Sequence, residues 1–369
     1  MQESFLHRAV TGRRIRSRYR FGMATPSIAL ARRPVSSRAF QLVAGLLLTV
    51  VVAGRLLGVD DVAAVETFVL IFTSIVVEAL PFVLLGATVS ALIEVFVSDR
   101  TFEKLASLPV SLQLPGAALG GLAFPVCECG SVPVARRLIA RGLHPSAGLA
   151  FMLAAPIVNP IVLLSTVVAY RGRGIAGEMV LGRAGLGLLL AMIAGWAIGA
   201  QGAKGLLKPR DEESDVHDHV HEDDGGKKRI VSTIRKARGR AFVEHLASDF
   251  FFMGRFIVIG GALAAALQTI IPQDIVSGLA RTPLIGSLAL MAIAFVLSLC
   301  SEADAFVAVS FTQFPIGSQL AFLVFGPVVD AKLAFLYGAT FRRRFVLRLI
   351  IVAVPVVLAG SLWFEALVA

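Results

Sequence analysis

The sequence contains little charge for its length. Only 16% of its 369 residues are Asp, Glu, Lys or Arg, whereas 56% are hydrophobic. Soluble globular domains carry about 25% charged residues, and several apolar runs in this chain exceed the ~18 residues that mark a membrane-spanning helix. These observations exclude a large soluble protein. They predict an all-α polytopic membrane protein.

Cysteine is scarce as well, and the common enzyme motifs are absent from the sequence. The three cysteines, Cys127, Cys129 and Cys300, lie inside apolar segments, and an odd number in that setting is not a disulfide framework. We find no P-loop, no GxGxxG fingerprint, no HExxH zinc motif and no nucleophile elbow. We therefore predict that the chain is not an enzyme, needs no cofactor and does not drive transport with ATP by itself.

The net charge of +10 comes from basic residues in short segments that flank the apolar runs. This distribution is the positive-inside pattern of membrane proteins, and it differs from the continuous basic face of a nucleic-acid binder. We predict a multi-pass protein of the plasma membrane that contacts membrane lipid and no nucleic acid. The sequence leaves its oligomeric state open.

The apolar runs divide the chain into five regions. Residues 1–39 form a basic cytoplasmic leader, and residues 40–59 form an extra transmembrane helix. Two membrane repeats follow at 62–200 and 243–369, and a cytoplasmic linker at 201–241 separates them. The linker is rich in histidine and acidic residues at first and is basic afterwards.

Three linker histidines alternate with other residues in an acidic run: His217, His219 and His221. Such a cluster could bind a divalent metal weakly. A solvated, disordered charge run explains the same pattern.

The two membrane regions repeat each other in sequence. Cys127 matches Cys300, Pro156 matches Pro327, and Gly86 matches Gly260, at offsets of 173, 171 and 174 residues. Three ordered blocks at nearly constant offset predict two structural repeats.

Charge near the first cysteine motif predicts how the chain crosses the membrane. Arg136, Arg137 and Arg141 stay on the cytoplasmic side only if the segment around Cys127 enters and leaves on the same side. We predict about seven spanning helices plus two re-entrant broken-helix hairpins, with the two repeats inverted relative to each other. Full spans in place of the hairpins remain an alternative.

The hairpin motifs carry thiols and carboxylates. Cys127 and Cys129, with Cys300 from the other repeat, could hold a soft metal or metalloid, or they could be small residues packed at a helix crossing. Carboxylates at the bilayer centre cost roughly 2.5–3.5 kcal/mol on insertion scales. Glu128, Glu302 and Asp304 are therefore candidates for pairing or for carrying protons, unless they lie at a hydrated hairpin tip.

Helix-breaking residues complete the predicted solute pathway. Backbone that cannot be helical occurs at membrane depth only where protein or a cavity surrounds it, and paired interruptions in two repeats point to a transporter's binding site. Lys332 lies two residues from Asp330 and could pair with it. The remaining pathway candidates are Gly130, Pro133, Pro156, Asn159, Pro160, Pro327 and Asp330.

The runs Phe124-Pro-Val-Cys-Glu-Cys-Gly-Ser-Val-Pro133, Gly142-Leu-His-Pro-Ser-Ala-Gly148 and Ala155-Pro-Ile-Val-Asn-Pro160 resemble the YraQ/ArsP-like family of predicted permeases. The resemblance covers about residues 62–366, and some members of the family export trivalent organoarsenicals. It implies a permease that exports a small soft solute, such as a metalloid, an organoarsenical or a metal-related species. The broken hairpins and the acids Glu128, Glu302 and Asp304 make protons a candidate coupling ion. The residues also leave open a membrane thiol oxidoreductase and a non-transporting subunit of a membrane complex.

Overall fold

The structure is a computed structural model, and it describes residues 63–98, 104–105, 107–122, 126–200, 202–208, 227–270 and 282–368. The predicted leader, the extra helix at 40–59 and the three linker histidines lie outside these residues. The described chain is helical apart from short connections and a single isolated bridge between Leu207 and Phe341. An all-helical fold is thereby confirmed.

Each half of the described chain contains six main helices in the same order. In the first half they are α1 (Ala63–Phe96), α2 (Val110–Gly120), α3 (Glu128–Ala140), α4 (Pro145–Val158), α5 (Pro160–Tyr170) and α6 (Ala176–Gly199). In the second half they are α7 (Lys227–Ile270), α8 (Pro283–Leu297), α9 (Asp304–Ala308), α10 (Ile316–Phe325), α11 (Ala331–Thr340) and α12 (Arg344–Val368).

Five helical segments of the described chain are long and apolar enough to cross a membrane. They are Val65–Phe96, Pro145–Arg173, Ala176–Gly199, Gly239–Thr269 and Arg344–Val368. Large apolar side chains on these segments face outward: Leu70, Leu181, Trp196 and Trp363 are each at least 65% exposed. Lipid would cover such side chains, since a soluble protein rarely exposes extended apolar surface.

Two helix pairs are interrupted at the positions that the prolines and polar residues predict. Pro160 begins α5, where its missing N–H costs nothing, and Asn159 before it accepts the backbone N–H of Ile161 at 2.9 Å. In the second half the turn at 326–330 separates α10 from α11. The largely apolar run at 318–340, which is long enough for one spanning helix, is therefore a pair of short helices.

The helix that opens the second half also differs from its predicted bounds. It was expected to begin near residue 243, but α7 begins at Lys227 and includes the basic end of the predicted linker. The sequence of that end contains no proline, so the helix can continue beyond the apolar run.

Glycines allow the helices around the interior to approach closely. A Cβ atom built on Gly86 of α1 would lie 2.3 Å from the Cα of Gly130 in α3. In the second half, a Cβ atom on Gly260 of α7 would lie 2.6 Å from the Cα of Lys332 in α11. Small residues permit such contacts in membrane proteins. The two crossings fix the backbone beside Glu128 and at Lys332.

We expect Gly86→Ala to destabilise the protein because the added methyl group would overlap the backbone of α3. Overpacking typically costs about 1–3 kcal/mol. The measurement is the midpoint of thermal unfolding in detergent. Gly185→Ala in α6 is the matched control, since nothing lies within 4 Å of a Cβ atom at that position. Equal midpoints for the two variants would contradict the close crossing.

Candidate functional site

The first residues of two helices from different halves meet inside the protein. α3 begins at Glu128, preceded by Cys127 in extended conformation, and α11 begins at Ala331, preceded by Asp330. The two helices pack against each other. The turn at 298–303, which joins α8 to α9, reaches the same place.

Glu128 and Lys332 form a buried ion pair between the two halves. The Nζ atom of Lys332 lies 2.8 Å from Oε1 of Glu128, and the side chains are 1% and 0% exposed. Water cannot solvate either charge, and a buried charge that loses its partner typically costs 3–5 kcal/mol. The pair therefore holds α3 of the first half against α11 of the second.

Asp330 lies beside the same ammonium group. Its Oδ1 atom accepts the N–H of Leu333 at 2.6 Å and so caps α11. Its Oδ2 atom lies 3.6 Å from Nζ of Lys332. The predicted pairing of Asp330 with Lys332 is thus present at a longer distance than the pairing with Glu128, which comes from the other half.

Ser301 connects two carboxylates of the site. Its hydroxyl lies 3.0 Å from Oε2 of Glu128 and 3.3 Å from Oε2 of Glu302. Glu128 is fully buried, whereas Glu302 is partly exposed. A hydroxyl has one proton to donate and two lone pairs to accept, so Ser301 can bond both carboxyl groups when one of them is protonated.

The three cysteine thiols lie at this cluster and are all buried and free. Sγ of Cys300 lies 3.8 Å from Nζ of Lys332, and Cys129 interacts electrostatically with Lys332 while its thiol contacts that of Cys127. Within the part of the chain that the structure describes, no set of three or more His, Cys, Asp or Glu side chains is arranged to hold a metal ion. The thiols share the site with charges and do not form a separate metal centre there.

A second buried ion pair holds the other hairpin. Nη2 of Arg183 in α6 lies 2.7 Å from Oδ2 of Asp304 in α9, with 0% and 4% of the side chains exposed. The guanidinium also donates to the Ser301 carbonyl at 3.1 Å and to Oγ1 of Thr166 at 2.9 Å. Arg183 therefore positions Ser301, whose hydroxyl contacts Glu128.

The other predicted site residues shape the helices around this cluster. Gly130 forms the crossing with Gly86, and Pro133 is buried inside α3. Pro156 lies in the last turn of α4, next to the interruption at Asn159 and Pro160. Pro327 is buried in the turn that precedes Asp330.

Lys332, Arg183, Ser301 and Glu78 belong to the cluster and were missed as site residues from the sequence. Glu78 is partly buried on α1 and interacts electrostatically with Lys332 and Glu128. The available signal was charge within apolar segments, which marks functional positions in membranes. Ser301 gave no such signal, because serine is common in membrane helices.

These features define the class of the protein. Its helices are long and apolar enough for a membrane, and interrupted helices from both halves enclose buried charges, an arrangement typical of transporters. The chain belongs to the ArsP_1 family, described as "Predicted permease", whose profile matches residues 64–365. The resemblance noted in the sequence is thereby confirmed.

Two curated relatives match most of the chain. The "UPF0718 protein YcgR" of Bacillus subtilis (strain 168) is 41% identical over 294 residues, which is 79% of this chain and 95% of that protein. A "Putative two-component membrane permease complex subunit" of Streptococcus mutans serotype c is 33% identical over 284 residues, or 76% of this chain and 89% of that protein. No solved structure matches the chain.

We expect Arg183→Met to lower stability by about 3–5 kcal/mol, because it leaves the Asp304 carboxylate buried without a cation. Adding Asp304→Asn to the same variant should recover part of the loss. Thermal unfolding in detergent measures both effects.

Arg240→Met is the control for this prediction. Arg240 also lies 3.0 Å from a carboxylate, that of Glu244, but the two side chains are 84% and 66% exposed. Exposed pairs contribute about 0–1 kcal/mol. A loss as small in Arg183→Met as in Arg240→Met would show that the buried pair does not hold α9.

Proposed function

We propose that this chain is a secondary permease that exports a small soft solute along a pathway between its two halves. The observation that carries the proposal is the buried pair of Glu128 and Lys332, formed where interrupted helices of different halves meet. A transporter needs a binding site between its two halves, and the contact between the halves at that site must be able to break. An ion pair between them supplies such a contact.

The thiols support a soft solute as the cargo. Cys129 and Cys300 interact with the same ammonium group, and the thiol of Cys127 contacts that of Cys129. Thiol sulfur prefers soft metals and metalloids to hard cations. Family membership is compatible with this choice. A trivalent organoarsenical is therefore the first cargo to test.

The chain of Glu302, Ser301 and Glu128 supports proton coupling. Glu302 is the partly exposed member, and the Ser301 hydroxyl connects it to the buried Glu128. A proton on Glu302 can pass to Ser301 while Ser301 gives its own proton to Glu128. Neutral Glu128 would then attract Lys332 less strongly, which links proton uptake to separation of the halves. Asp304 is paired with Arg183 and lies outside this chain.

Contacts between helix ends support two inverted repeats with re-entrant hairpins. At one end Arg137 pairs with Glu94 at 3.0 Å and with Asp249 at 2.7 Å, and the N–H of His144 meets Gln113 at 3.2 Å. The contact of His144 puts the start of α2 beside the start of α4, and the pairs of Arg137 put the end of α3 beside the end of α1 and beside α7.

At the other end the second hairpin has the corresponding arrangement. Ser318, at the start of α10, donates to the carbonyl of Pro283 at the start of α8 at 3.3 Å. Arg173, after α5, donates to the carbonyl of Val309, after α9, at 2.8 Å. The two hairpins would thus enter the membrane from opposite sides.

Cysteine labelling tests this topology. We expect an impermeant maleimide to label Ala140→Cys from one side of the membrane and Thr312→Cys from the other, because both positions are exposed and follow different hairpins. The native cysteines are buried, so the unsubstituted protein is the control. Labelling of both positions from the same side would contradict the inverted arrangement.

Transport into everted vesicles tests the function, with a trivalent methylarsenical as the probe. We expect an imposed pH gradient to accelerate uptake, and we expect Glu128→Gln, Glu302→Gln and Cys300→Ser to lower it by about tenfold or more, as loss of buried charged or cargo contacts should. Glu66→Gln, an exposed carboxyl at the start of α1, is the matched control. Equal uptake with and without the gradient would contradict proton coupling. No uptake under either condition would show that the methylarsenical is not a cargo.

A second candidate function is a subunit of a two-component permease complex. The Streptococcus mutans relative is named as a putative subunit of a two-component membrane permease complex, and this name favours the second candidate. Vesicles that contain only this chain distinguish the two candidates. Uptake there supports the single-chain permease, whereas uptake that needs a second protein copurifying in fixed ratio supports the complex.

A further inference from the structure

Lys332 lies between two carboxylates that belong to different halves of the protein. Its Nζ atom is 2.8 Å from Oε1 of Glu128 in the first half and 3.6 Å from Oδ2 of Asp330 in its own half. All three side chains are at most 1% exposed. The ammonium therefore has a near partner across the interface and a second partner 0.8 Å further away.

Asp330 has an oxygen atom available for the ammonium. Oδ1 is occupied by the N–H of Leu333, whereas Oδ2 is buried and has no hydrogen-bond partner among the described residues. An unsatisfied buried acceptor is unfavourable, so a shift of the ammonium towards Oδ2 would satisfy an atom that is unsatisfied now.

The surroundings let the side chain move while the backbone stays fixed. Gly260 of α7 packs against the Cα atom of Lys332, which holds the backbone, and the four-carbon stem of lysine is flexible. The other titratable groups that interact with Lys332 are Glu78 on α1, Cys129 on α3 and Cys300 in the turn after α8. Of these, Sγ of Cys300 lies 3.8 Å from Nζ, farther than the nearest oxygen of either carboxylate.

We propose that Lys332 alternates between Glu128 and Asp330, and that its transfer to Asp330 releases the start of α3 from the start of α11. The inference rests on the proposed permease function and names the contact that opens the pathway between the halves. Transfer keeps the ammonium paired throughout, so the halves can separate without leaving an isolated cation in the interior. Glu128 keeps its hydrogen bond from Ser301 and becomes available to a proton or to the cargo.

Removing either carboxylate tests the exchange, because the two removals should act in opposite directions. Glu128→Gln leaves Lys332 on Asp330 and loosens α3. Asp330→Asn leaves Lys332 paired with Glu128 and so strengthens the contact that holds α3. The variant still caps α11, because Asn and Asp cap helices equally well. Asn159 already caps α5 at the matching position of the first half.

Hydrogen–deuterium exchange of the full chain in nanodiscs measures the effect. We expect peptides from α3 to exchange about tenfold faster in Glu128→Gln and about tenfold slower in Asp330→Asn than in the unsubstituted protein, as local opening becomes easier or harder. Glu66→Gln is the control and should leave the rate unchanged. If Glu128→Gln fails to fold, Glu128→Asp keeps the charge, shortens its reach, and should accelerate exchange in the same direction.

Shifts of the same sign in the two variants, or no shift in Asp330→Asn, would overturn the exchange, because a purely structural cluster loses protection whichever carboxylate is removed. The measurement needs no cargo. Opposite shifts in a protein that transports nothing would retain the exchange and overturn the permease assignment. Transport together with exchange-rate shifts of the same sign in both variants would support the permease and overturn the exchange of Lys332 between the carboxylates.

Discussion

The arrangement of the interior depends on one constraint: the ammonium group of Lys332 has no access to water and must be paired. Glu128 supplies the partner at 2.8 Å, and it comes from the other half of the chain. Because a buried charge without a partner is strongly destabilising, the start of α3 has to lie against the start of α11. The helix interruptions before Glu128 and at Asp330 make this possible, since they bring the first residues of two helices to the same point in the interior.

The two halves share an order of helices but not a pattern of contacts. Gly86 and Gly260 occupy matching positions, yet Gly86 packs on Gly130 of its own half's hairpin and Gly260 packs on Lys332 of α11. The charges differ in the same way, because Glu128 pairs across the halves with α11, whereas Asp304 pairs with Arg183 of α6. α3 is held by glycine packing, by the pair of Glu128 with Lys332 and by the pairs of Arg137 with Glu94 and Asp249. α9 is held by a buried arginine with three partners.

Family membership establishes a predicted permease, and the geometry indicates where its chemistry would lie. The motif Cys127-Glu-Cys129 first suggests a thiol site. In the folded chain Cys129 and Cys300 interact with Lys332, and Ser301 connects Glu128 with Glu302. The site is therefore one of mixed charge and sulfur, and Lys332 is its central residue. Under the proposed function, the carboxylate–ammonium contact between the two halves is the part of the site that would couple binding to movement.

Hydropathy alone determined the all-helical membrane class, because segments this apolar bury their backbone polar groups only as helices. Local sequence also determined where several helices begin, as at Pro160 after Asn159 and at Ala331 after Asp330, since proline and capping residues act within a turn. The tertiary structure decided which charges pair. Glu128 and Lys332 are 204 positions apart, and Asp304 and Arg183 are 121 apart. No spacing rule links residues so distant, because an ion pair between helices depends on how whole helices cross, and the crossings depend on packing at glycines such as Gly86 and Gly260.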